Sequence, residues 1–173
     1  MHPHRTAAGF SLVEVLLAIT LVALLLLSVG VALQASFDSY QENDKIAAAT
    51  QAARSALGRM TREIRNAEAL SADSTSITIL PPSGGDWPDQ IEYELSDGTL
   101  YYRLTEDSTE TEHVLLGGTS GVAVTSFDVA HQMGQDTQGI PCVKTVTVKL
   151  QLNVDGQSHT VSASVSPRRN QTF

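Results

Sequence analysis

Apolar positions follow three rhythms along this chain. Residues 10–37 read FSLVEVLLAITLVALLLLSVGVALQASF, an almost unbroken apolar run. It exceeds the ~20 residues with which a helix crosses a ~30 Å hydrocarbon core, so it predicts a membrane-spanning helix. Beyond residue 38 the rhythm changes. Ile46, Ala53, Leu57, Met60, Ile64 and Ala67 recur at spacings of 7, 4, 3, 4 and 3. That spacing marks one face of an amphipathic helix, with Arg54, Arg59, Arg62, Glu63 and Arg65 largely outside it. No proline occurs between His4 and Leu80. The two rhythms therefore predict one helix from Phe10 to about Leu70, ~90 Å long.

Pro81, Pro82, Gly84 and Gly85 end that pattern, and alternation with period two follows. Asp97-Gly98 is a two-residue turn signal that places Leu95 opposite Leu100, Tyr93 opposite Tyr102 and Ile91 opposite Leu104. On the other face it sets Glu92 opposite Arg103. Asp155-Gly156 likewise sets Leu150 opposite Val161, Val148 opposite Ala163 and Val146 opposite Val165. Residues 76–80, 114–116 and 122–129 are further strand candidates, and 132–141 reads as a loop. The fold expected is α+β: a long N-terminal helix packed on an antiparallel domain of about six strands. Its second half, 38–70, should fold with residues 71–173.

Charge sharpens this picture. In 173 residues there are 11 Lys plus Arg against 19 Asp plus Glu, a formal charge of −8. Nucleic-acid binding needs clustered cations, so nucleic acid is excluded as a partner. Between Arg5 and Asp38 the single charge is Glu14. Arg5 before the apolar run and acidic residues after it predict a single-pass chain with its N-terminus in the cytoplasm and its C-terminal ~135 residues outside. A secretory signal would have a shorter apolar stretch and a small-residue cleavage site after it. Here the small residues Ala7, Ala8 and Gly9 precede the run. A carboxylate in a membrane helix costs about 2.5–3.5 kcal/mol, so Glu14 requires a cationic partner. Cleavage after Gly9 would create one, the α-amino group of Phe10, a helical turn away.

Gly9-Phe10-Ser11-Leu12-Val13-Glu14 before an apolar run resembles the leader and N-methylation motif of type IV prepilins. The resemblance implies that a prepilin peptidase removes residues 1–9, cutting between Gly9 and Phe10, and methylates Phe10. It implies that Glu14, fifth in the processed chain, serves subunit assembly. It also implies a helix-and-head lollipop shape and an inner-membrane location with the C-terminal domain in the periplasm. Residues 58–67, GRMTREIRNA, resemble the helix end of J-type minor pseudopilins and related minor pilins. Major subunits usually carry a helix-breaking proline where this chain has Val31, which points to a minor subunit of a type IV pilus or a type II secretion pseudopilus. Its expected partners are prepilin peptidase and other pilins or pseudopilins, and it is extracted from the inner membrane into the fibre. The competing reading is an extracytoplasmic binding module on an uncleaved signal anchor.

Candidate chemistry elsewhere has blander explanations. Residues 86–112 hold nine acidic residues and one basic residue, Arg103. Glu106, Asp107, Glu110 and Glu112 read as a solvated Ser/Thr-rich loop in preference to a cation site, because no Asp-x-Asp-x-Asp-Gly spacing occurs. The lone Cys142 shares parity with Val146 and Val148 and reads as a buried thiol. His113, His131 and His159 lie in separate segments without metal-ligand spacing. The expectation is a non-enzyme with no catalytic residue, no metal and no cofactor.

Overall fold

The computed structural model of the protein describes residues 11–73, 75–84, 87–118, 121–135, 139 and 141–168. Its architecture is α+β: helix α1 (Leu12–Asn66) followed by antiparallel sheets. The chain divides into two compact units, 1–43 and 44–173.

In the first unit the described residues are helical from Leu12 onward. Residues 11–41 are all exposed, leucines and valines included. A helix apolar on every side has no polar face to give to water, which is the pattern of a segment surrounded by lipid.

In the second unit α1 buries Ala49, Ala53, Ala56, Leu57, Met60 and Ile64. These residues recur at helical spacing, so one stripe faces the core and extends the predicted one by Ala49 and Ala56. Burying side chains the size of Leu57, Met60 and Ile64 contributes about 1.5–3 kcal/mol each. The helix ends at Asn66, short of the predicted Leu70. No proline or glycine stops it. Glu68 instead donates its N–H to Leu80 O at 2.8 Å, which starts strand β1 (Ala69–Ala72) against β2 (Ser76–Leu80). The carbonyl of Arg65, at the helix end, accepts the N–H of Arg168 at 3.1 Å.

The remaining strands are β3 (Gln90–Ser96), β4 (Thr99–Glu106), β5 (Thr109–Leu116), β6 (Val122–Gln135), β7 (Pro141–Val154) and β8 (Gln157–Val165). One sheet runs β1-β2-β3-β4-β5 and the other β6-β7-β8. The registers set by the two Asp-Gly turns hold at every pair expected, from Leu95 with Leu100 to Val146 with Val165. Asp97 and Gly98 (φ 47° and 74°) and Asp155 and Gly156 (φ 47° and 90°) both turn through the left-handed region, as a tight two-residue hairpin requires.

Three expectations need correction. Eight strands occur among the described residues, where about six were expected. Glu110 and Glu112 belong to strand β5 rather than to a loop, because Asp107 and Ser108 form a third left-handed turn (φ 48° and 65°). Asp89 holds that turn by accepting the N–H of Asp107 at 2.9 Å. Finally, β6 reaches Gln135 and β7 starts at Pro141, so five of the ten residues of the expected 132–141 loop are paired strand, with Met133 opposite Val143 across a register shift. Residues 136–138 and 140 of that stretch lie outside the described residues.

The two sheets meet at their turns. Val124 donates its N–H to Gly98 O at 2.8 Å. Gly117 (φ 88°) passes so close to this turn that a Cβ would sit 2.4 Å from Gly98 O, so a side chain cannot be placed there.

Candidate processing and assembly site

Gly9 and Phe10, the expected cleavage and methylation residues, lie outside the described residues. The description begins at Ser11, whose carbonyl accepts the N–H groups of Glu14 at 3.0 Å and Val15 at 3.2 Å and so opens the helix. Glu14 therefore falls in the first turn of α1, where the helix dipole favours a carboxylate. Thr20, Ser28 and Gln34 of this stretch are satisfied locally. Thr20 Oγ1 donates to Leu17 O at 2.8 Å, and Ser28 Oγ donates to Leu24 O at 2.9 Å. Gln34 Nε2 donates to Asp38 Oδ1 at 3.1 Å. Such bonds let hydroxyl and amide groups enter an apolar medium at small cost. Glu14 is exposed among leucines and valines, and among the described residues its carboxylate has no partner.

The second unit contains a polar constellation of a different kind. Arg59 and Glu63 stand one turn apart on α1, and Arg59 Nε donates to Glu63 Oε1 at 3.1 Å. Tyr93 Oη donates to Glu63 Oε2 at 2.5 Å, and Tyr102 Oη lies 3.5 Å from Oε1. The Arg59 guanidinium sits 3.7 Å over the Tyr102 ring. Burial, then the Glu63 charge, raises the Tyr93 phenol far above its ordinary range. Burial is the largest influence on Arg59 and opposes its charge, but the Glu63 hydrogen bond, the two tyrosines and the Glu63 charge together outweigh it and the pKa is raised. The arrangement locks helix to sheet with its donors and acceptors already matched. Sequence reading placed Glu63 outside the packed stripe; the missed signal was that Tyr93 and Tyr102 share the inward parity and a buried phenol needs an acceptor. An open groove of about 700 Å³ runs beside this lock, with Arg62, Trp87 and Leu115 on its walls.

On the opposite face of the same sheet, Arg103 has Glu92 opposite it, as expected, and also gathers Glu110 and Glu112, which were expected in a solvated loop. Its Nε donates to Glu112 Oε2 at 2.7 Å and lies 3.3 Å from Glu110, while Nη1 bonds Glu94 and lies 3.7 Å from Glu92. The Glu112 hydrogen bond is the largest influence raising the Arg103 pKa.

Among the described residues no group of three His, Cys, Asp or Glu is arranged to hold a metal ion. His113 lies 6.4 Å from the Tyr102 ring in stacked orientation, His131 is on β6 and His159 on β8. Cys142 is a buried free thiol on β7, as its parity predicted.

Residues 4–30 match the family model described as the prokaryotic N-terminal methylation motif. No curated protein matches the chain. No solved structure matches it either. The match spans the leader and the opening of α1, a helix long and apolar enough to cross a membrane. It supports a type IV pilin-like chain, a structural subunit processed by prepilin peptidase, assembled with other pilins and anchored by its apolar N-terminal helix.

Proposed function

We propose that this protein is a minor subunit of a type IV pilus or of a type II secretion pseudopilus, cleaved between Gly9 and Phe10 and N-methylated at Phe10. The observation that carries the reading is the methylation motif running directly into an apolar helix whose first-turn Glu14 has no partner among the described residues. Val31, where major subunits usually have proline, supports the minor class. In this reading residues 1–9 are a leader that is removed. Residues 10–37 form the membrane and assembly half of the helix, and 38–70 fold with 71–173 in the periplasm.

Glu14 then selects register during assembly. Packing apolar helices together strips water from its carboxylate, which is penalised unless an ammonium lies within a few ångströms. The α-amino group of Phe10 on a neighbouring subunit supplies that charge. Glu14→Ala should be cleaved after Gly9, remain in the membrane and fail to crosslink to partner subunits. Glu14→Gln should fall between it and the wild type. Normal partner crosslinking by Glu14→Ala would overturn the assembly role of this residue.

A further inference from the structure

Two surfaces of the second unit carry opposite surplus charge and lie on opposite sides of one sheet. On α1, Arg54, Gly58, Arg62 and Arg65 fall at i, i+4, i+8 and i+11, hence on one exposed helical face. Between residues 51 and 66 the sole carboxylate is Glu63, which is committed to Arg59 and Tyr93. The three exposed arginines are therefore uncompensated on their own helix. The other surface is the face of β3, β4 and β5 turned away from α1, where Glu92, Glu94, Glu110 and Glu112 surround the single Arg103. Alternation fixes its direction: Tyr93 and Tyr102 point to the helix, so Glu92, Glu94 and Arg103 point away. Four carboxylates against one guanidinium leave three formal negative charges.

Gly58 supplies a separate hint. A glycine inside a helix costs about 1 kcal/mol relative to alanine, and a Cβ here would meet nothing within 4 Å in its own chain. Its absent side chain lets another backbone come close between Arg54 and Arg62.

We infer that the arginine face of α1 docks on the acidic outer face of β3–β5 of a second copy of this chain. The two patches are equal in surplus charge and back to back, so they are unable to meet within one molecule. Between molecules they form a heterologous contact, in which different patches of the two copies meet. The inference names a partner for the subunit reading above and rests on it.

The test uses full-length chain in membranes, in a Cys142→Ala background. One copy carries Arg62→Cys, a second carries Glu110→Cys, and the two are co-expressed under mild oxidation. The mixed pair should yield a crosslinked dimer, and either variant alone should yield little, because each patch faces the other kind. Reversing Arg54 and Arg65 to glutamate should cut the yield roughly tenfold, as should high salt, if screened charge holds the contact. A mixed pair that crosslinks no better than Arg62→Cys alone overturns the inference, as does a yield indifferent to the reversals. Cleavage after Gly9 is scored on the same samples. A processed chain that fails to crosslink sinks the docking alone, and a crosslinking chain that keeps its leader sinks the subunit reading alone.

Discussion

The Glu63 carboxylate accepts the hydrogen bond of the Tyr93 phenol at 2.5 Å, joining α1 to β3 across thirty residues of sequence. Tyr93 is fully buried, so the bond satisfies a donor that would otherwise be left without water. It also fixes the rotation of α1 about its axis, and with it the direction in which Arg54, Arg62 and Arg65 point.

Tyr93→Phe should therefore destabilise the second unit by about 1.5–3 kcal/mol, the range for a hydrogen bond to a charged group. Glu63→Gln should cost less, because the amide oxygen still accepts. Urea unfolding followed by circular dichroism would measure both. Equal stability of Tyr93→Phe and wild type would remove the lock from the account.

The same phenol predicts a pH limit. Its pKa is raised in the folded state, above an ordinary value of 10.0, chiefly by burial and then by the Glu63 charge. A raised pKa means that the unfolded chain loses the proton first. The stability is fully present below pH 10 and falls as pH rises beyond it. Thermal melts at stepped alkaline pH should show this decline, and Tyr93→Phe should flatten it.

Met60 is fully buried at the centre of the helix stripe. Met60→Ala should cost about 2–5 kcal/mol through lost burial and a residual cavity. Unfolding of the variant at unchanged denaturant midpoint would mean that the stripe does not pack.

Two glycine exchanges should act in opposite senses. Ser108 holds φ at 65°, a region costly for a side chain, so Ser108→Gly should stabilise the β4–β5 hairpin by roughly 0.5–1 kcal/mol. Gly58→Ala should stabilise α1 by about 1 kcal/mol while placing a methyl group where a second copy is inferred to approach. Calorimetry would read both effects.

Legibility in the sequence followed the range of the interaction. The Asp97-Gly98 and Asp155-Gly156 hairpins were readable to the residue, because turn chemistry and alternation are local and agree. The Asp107-Ser108 turn was not, since it lacks glycine and is held by Asp89 from 18 residues away. The helix end at Asn66 was missed for a similar reason: pairing of Glu68 with Leu80, not a breaker residue, stops it. The burial of Cys142 followed from parity alone. Within the candidate site, residues 4–30 carry a contiguous motif and were legible as such. The Glu63–Tyr93 lock and the Arg103 cluster assemble only in the fold.

The measurement that bears most directly on the central claim is the intact mass of the membrane-extracted chain, with its N-terminus sequenced. The account predicts a chain that starts at Phe10, lacks residues 1–9 and carries one added methyl group on its α-amine. It also predicts that Gly9→Val accumulates as full-length precursor, because a side chain at the scissile bond obstructs the peptidase. A membrane-bound chain that retains Met1 or Arg5, or normal processing of Gly9→Val, would contradict it.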